Sequence, residues 1–153
     1  MSETVAPYLQ RFRVLWGDVD GNAHMANTAF LDRAADVRIL FFADHGLTGS
    51  RFAEGRIGPV IVRDELVYRQ ELRLLDEFTV DLHLIGLSAD GTRFRLENTF
   101  RTAAGELAAT VTSEGVWFDL ELRRPRALPP DWDAIQRTMP RGEGFAELPA
   151  RRP

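Results

Sequence analysis

The sequence predicts an α+β fold, with a single long helix held in a curved antiparallel sheet of about five strands. Three observations lead there. Residues 27 to about 44 have helix-forming composition and contain neither Pro nor Gly. The segments that follow alternate apolar and polar residues at strand period. The connections between those segments are short, so neighbouring strands run antiparallel.

The elements follow in order. "QRFRVLW", Gln10 to Trp16, alternates, with Phe12, Val14 and Trp16 on one side and Arg11 and Arg13 on the other, which predicts a half-buried strand. A polar loop, "DVDGNAHMAN", leads into the helix. Asp32 and Asp36 mark one polar strip, and Arg33 can pair with Asp36 three residues on. Phe30, Leu31, Ala34, Val37, Ile39, Leu40, Phe41 and Phe42 occupy most of the remaining circumference. So broad an apolar surface predicts an enclosed helix, and Gly46 is a natural stop.

Residues 49–58 read as irregular connection. Four strand-like runs come next. Val60, Val62, Leu66, Tyr68 and Leu72 share one face of the first, and Phe78, Val80, Leu82 and Leu84 one face of the second. Phe94, Leu96 and Phe100 oppose Arg93, Arg95, Glu97, Thr99 and Arg101 in the third; "ELAATVTSEGVWFDL" is the fourth. "SADGT" and "TAAGE" are hairpin turns. "PPDWDAIQR" predicts a short helix with Pro130 near its start. One domain over residues 1–139 is expected. Residues 140–153, rich in Gly, Pro and Arg, read as a flexible tail. The sheet has no second layer of helices, so its edges need cover, as from a second subunit.

Composition narrows the function. The 153 residues are 44% hydrophobic and 27% charged, as in a folded domain with a real core. A net charge of −4 and a pI near 5.4 do not fit a general nucleic-acid binder. The chain has no cysteine, which excludes disulfides, thiolate metal sites and cysteine nucleophiles. None of Ser2, Ser50, Ser88 and Ser113 lies in a G-x-S-x-G elbow. No signal peptide is visible, and the longest apolar run, "ILFFA", is too short to span a membrane. A cytoplasmic protein without membrane insertion is the expectation.

The polar loop concentrates the chemistry. Asp18, Asp20 and Asn22 fall at the first, third and fifth positions of a calcium loop, but Ala23 and Ala29 stand where that motif wants Gly and Glu. No bound metal is expected. Asp and Asn here can be turn formers, and Asn27 or Thr28 can cap the helix. Asp20 also stands close before the helix start, where unpaired N–H groups and the dipole favour negative charge. A carboxylate beside an oxyanion-binding helix end is equipment for attacking a carbonyl.

"WGDVDGNAHMANTAFLDRAADVR" resembles the signature of the 4-hydroxybenzoyl-CoA thioesterase family, which has the hotdog fold. Asp18, Asp20, His24 and Asn27 match the signature, and Phe30, Leu31, Asp36 and Arg38 continue its helix. Ala23 replaces the usual Gly, and Ala26 the first Asn. The resemblance implies an acyl-CoA thioesterase with Asp20 as nucleophile or general base, Asn27 and His24 in the site, and the carbonyl oxygen at the helix start. Asp18 would be structural. Coenzyme A would be part of the substrate, with no separate cofactor. Its phosphates call for cations: Arg93 lies where relatives contact the nucleotide, and Arg123 and Arg124 of "RRPR" are a second candidate. Exposed arginines on edge strands also deter aggregation. The expected assembly is a homodimer or homotetramer with sites at the subunit interface. The alternatives are a hotdog 2-enoyl-CoA hydratase, whose motif Asp20, Asn22 and His24 echo without its Pro, and an acyl-CoA-binding module without turnover.

Overall fold

The computed structural model describes residues 5–149. The chain forms β1 (Tyr8–Arg13), α1 (Asn27–Asp44), α2 (Gly49–Gly55), β2 (Ile57–Tyr68), β3 (Glu77–Ser88), β4 (Arg93–Thr102), β5 (Leu107–Asp119), β6 (Arg124–Pro125), α3 (Pro130–Arg137) and β7 (Arg141–Leu148). The sheet order is β1-β3-β4-β5-β2, with β6 beside β5 and β7 beside β3. All pairings are antiparallel except β3 with β7. One long helix in a curled antiparallel sheet is the hotdog arrangement that the sequence predicts.

The alternation in β3 and β4 decides which face meets α1. Phe78, Val80, Leu82, Leu84, Phe94, Leu96 and Phe100 are all buried. The helix answers with Phe30, Ala34, Val37 and Phe41. Aromatic rings lock the layers: Phe30 lies 5.1 Å from Phe100, and Phe42 meets Trp117 edge-on at 5.6 Å. Pro130 opens α3 as expected, since its missing N–H has no intrahelical partner at that position.

Five expectations need correction. Trp16 is 81% exposed, because β1 ends at Arg13 and a 3-10 turn over Trp16–Asp18 swings the indole outward. α1 is not fully enclosed: Ile39 is 45% exposed, and the face carrying Ala35 and Ile39 looks onto a cleft. Residues 49–55 form a helix rather than irregular chain, pinned by Phe52 stacking on Trp117 at 5.9 Å. The expected single face of β2 is broken by a register shift between Ile61 and Arg63, so Val60 and Val62 are both exposed. Residues 141–148, read as part of a flexible tail, form β7, which pairs with β3 from Leu84 to Ser88 where β1 no longer reaches.

Candidate active site

The loop between β1 and α1 is tied down at both ends. The Met25 N–H donates to the Leu72 carbonyl (2.7 Å), and Val19 and His24 form isolated bridges to Met25 and Arg73. The two aspartates of the motif do different work. The buried Asp18 accepts from the Leu15 N–H (2.9 Å) and from Arg33 Nη2 (2.8 Å), while its own carbonyl accepts from Ala26 N–H (2.8 Å). It therefore holds the loop and the helix start together. Arg33 also reaches Asp36 at 2.9 Å, as its spacing predicts. Asp20 is looser, with its side chain 32% exposed; Oδ1 accepts the Asn22 N–H at 2.8 Å, and Oδ2 makes no hydrogen bond among the described residues.

Ala23 adopts a backbone conformation that favours Gly. Its φ is 64°, in the left-handed region, which costs a residue with a Cβ about 1 kcal/mol. The chain keeps the turn with the Asp20 N–H to His24 carbonyl bond (3.0 Å) and the Ala23 N–H to Asp20 carbonyl bond (3.1 Å).

At the helix start the N-cap is Ala26, not Asn27 or Thr28, and it has no side chain to cap with. Asn27 is the first helical residue, and its Oδ1 takes the Thr28 N–H at 2.9 Å. The Asn27 N–H has no acceptor among the described residues. An open N–H at a helix N-terminus binds a partial negative charge. Tyr68 lies close by, its phenol oxygen 3.5 Å from the Asn27 carbonyl, and burial raises its pKa.

His24 stands between two carboxylates, with Nδ1 3.8 Å from Asp20 and Nε2 3.8 Å from Glu71. Those separations are too long for direct hydrogen bonds. Arg73 holds Glu71 below the usual carboxylate range. The sequence reading missed both Glu71 and Tyr68. They are far from the motif in sequence, and only the pinning of the loop against residues 72–73 brings them near. His45 and His83 stand away from the loop, on the Phe41 carbonyl (2.7 Å) and near Asp81 (3.5 Å). Among the described residues no group of three or more His, Asp or Glu could hold a metal ion, and no helix is long and apolar enough to cross a membrane.

The candidate phosphate-binding cations are not near Asp20 in this chain. The loop lies beside the start of β5, where Tyr68 pairs with Ala109 and the Arg69 N–H donates to Ala108. Arg93 pairs with Val116, and Arg124 with Asp119, at the other end. Ala108 and Asp119 are eleven residues apart along β5, a span of about 36 Å at strand rise. Arg93 is also engaged, donating to the Pro149 carbonyl at 2.7 Å, and Arg123 lies over the Phe118 ring.

A cleft of about 480 Å³ runs along the open face of α1, between Ala35, Ile39 and Phe42 of the helix, α2, and Ile57 to Ile61 of β2. Its size and apolar walls suit an organic acyl group. Asp20, His24 and Asn27 do not line it.

One long helix held in a curled antiparallel sheet places the chain among the hotdog-fold proteins. Residues 14–136 match the model of the Thioesterase-like superfamily, and the chain belongs to that family; it is a thioester hydrolase. Comparison with curated proteins finds no match. Among solved structures, a Staphylococcus aureus protein in complex with CoA, SAV2348, is similar over 100% of this chain and 93% of its own, with TM-score 0.81 and 22% identity. The 1,4-dihydroxy-2-naphthoyl-CoA thioesterase Slr0204 from Synechocystis aligns over 85% and 95%, with TM-score 0.75 and 18% identity. A DHNA-CoA thioesterase from Staphylococcus aureus aligns over 86% and 89%, with TM-score 0.78 and 14% identity.

Proposed function

We propose that the protein hydrolyses an acyl-CoA thioester to a carboxylic acid and free CoA, with Asp20 as the catalytic carboxylate. Asp20 attacks the thioester carbon directly, forming an anhydride that water hydrolyses once CoA has left, or it takes a proton from an attacking water. Negative charge moves to the former carbonyl oxygen, to which the open Asn27 N–H donates a hydrogen bond. One such donor lowers the barrier by roughly 3–4 kcal/mol. The C–S bond then breaks, and CoA departs as a thiolate that needs no strong acid to expel it. Overall, water adds across the cleaved bond. His24 orients the loop or the bound substrate. The observation that carries this reading is the pairing of a lightly bonded Asp20 with an uncapped helix start in a chain of the thioesterase family.

The working unit is a dimer joined through β2. Among the described residues this strand pairs only with β5, and Val60, Ile61 and Val62 are exposed along it. An unpaired edge of twelve residues is a template for another strand. Antiparallel pairing of two copies would set the Ile57 end of one strand beside the Tyr68 end of the other. The cleft and the Arg123–Arg124 corner of one protomer would then adjoin the Asp20 loop of its partner. This reading supplies the neighbours that a single chain lacks.

The test combines light scattering with a thiol-release screen over short, long and aromatic acyl-CoAs. A dimer that releases CoA, and that Val62→Asp converts to an inactive monomer, supports the reading. An active monomer overturns the shared site. Absence of thiol release from every acyl-CoA overturns the substrate class.

A further inference from the structure

The cleft along α1 carries one charge that the chemistry above leaves unused. Its walls are apolar except for two side chains, Gln136 and Arg38. Gln136 is engaged at both ends: Oε1 accepts Trp117 Nε1 (2.8 Å), and Nε2 donates to Gly91 (3.0 Å) and Asp133 (2.9 Å). Arg38 is only partly engaged. Nε and Nη2 donate to Oδ1 of the buried Asn98 at 3.3 and 3.1 Å, and Nη2 also donates to Ser113, which in turn bonds Asp64. Nη1 has no acceptor among the described residues, and no buried side-chain nitrogen among them lacks a partner. Nη1 is therefore not sealed into the protein. Arg38 is itself one of the residues that line the cleft.

The surroundings decide what Nη1 would bind. Burial lowers the Arg38 pKa, and the nearby Asp64 charge opposes that shift. Asp64 thus already offsets the guanidinium. A second carboxylate brought into the cleft would face the full desolvation penalty with only part of a cation to answer it. An uncharged oxygen adds a charge-assisted hydrogen bond without that penalty. A purely hydrocarbon chain would leave Nη1 stripped of water and unpaired.

We infer that Arg38 is a specificity-determining residue: through Nη1 it selects acyl groups that carry an uncharged oxygen acceptor, such as a ketone or hydroxyl, toward their far end. This deepens the acyl-CoA reading and rests on it, because the cleft of one protomer receives the acyl group whose thioester lies at its partner's Asp20 loop.

Binding tests it without requiring turnover. Calorimetry of the full chain would compare S-alkyl-CoA thioethers from butyl to decyl with counterparts bearing a ketone at the penultimate carbon. At the chain length that reaches Arg38, the ketone is expected to bind about tenfold or more tightly, the value of a hydrogen bond to a charged group. Equal affinity at every length, or no binding of either series, overturns the inference. Asp64→Asn, in β2, removes the offsetting charge. It should shift preference from the ketone toward the matching terminal carboxylate; an unchanged ratio overturns the charge argument. Thiol release from the corresponding thioesters separates the two ideas. Discrimination among thioethers with no thioester cleaved refutes the catalytic reading and leaves the role of Arg38 standing. Cleavage with no discrimination does the reverse.

Discussion

Replacing each aspartate of the motif by asparagine should separate holding from chemistry. In Asp18→Asn, one of the two oxygens that accept from Leu15 N–H and Arg33 becomes an NH₂ group facing a donor. The site is buried, so water does not repair the mismatch, and Arg33 is left with Asp36 as its remaining carboxylate partner. A lost hydrogen bond to a charged group plus one unsatisfied donor costs about 2–3 kcal/mol. For a chain of this size that lowers the melting temperature by roughly 4–12 °C. Asp20→Asn should behave differently. Its one intramolecular acceptor bond, from the Asn22 N–H, is kept by the amide oxygen, and the group is partly exposed. Its stability should change by less than about 0.5 kcal/mol, while thiol release falls roughly 100- to 10,000-fold. Urea unfolding and a thiol-release assay on both proteins measure this. If Asp20→Asn destabilises as much as Asp18→Asn, or if folded Asp18→Asn alone abolishes turnover, the division of labour between the two carboxylates is wrong.

Two further outcomes follow from the same structure. The Tyr8 phenol is pushed up to about 12 by burial and its bond to Asp44, and burial also raises Tyr68. The folded state therefore holds these protons more tightly than the unfolded chain, whose phenols titrate near 10. The stability this contributes is complete below about pH 10 and is lost as pH rises toward 12. Absorbance titration should show less phenolate at pH 10 in the folded protein than in urea, where the midpoint lies near 10; coincident curves would refute the environments assigned to both rings. A chain ending at Met139 should lose the pairing of β7 with β3, the packing of Phe145 on the core and the burial of Leu148 against Gly86. The loss is about 3 kcal/mol, read as a drop of several degrees in melting temperature; an unchanged melting point would mean that β7 contributes nothing.

Much of this molecule is legible without coordinates. The helix over residues 27–44 needs no tertiary information, because composition and the absence of Pro and Gly select it. The buried faces of β3 and β4 follow from strict alternation, and the hairpins from "SADGT" and "TAAGE". The clustering of Asp18, Asp20, His24 and Asn27 is local in the chain, so it shows in the sequence. What the sequence hid depends on contacts distant in the chain. The bulge in β2 breaks a period that no local rule interrupts, and β7 becomes a strand only because β1 stops short along β3. Only the folded loop could show that Asp18 is held by Arg33 while Asp20 accepts a single bond from the Asn22 N–H. It also showed that Ala26 leaves the helix start uncapped, and that Arg93, Arg123 and Arg124 sit at the far end of the sheet from Asp20. Side-chain period is set by neighbours in the chain, so sequence alone determined the elements and their inner faces. Which polar groups remain unpaired depends on partners tens of residues away, so that was decided by the tertiary structure.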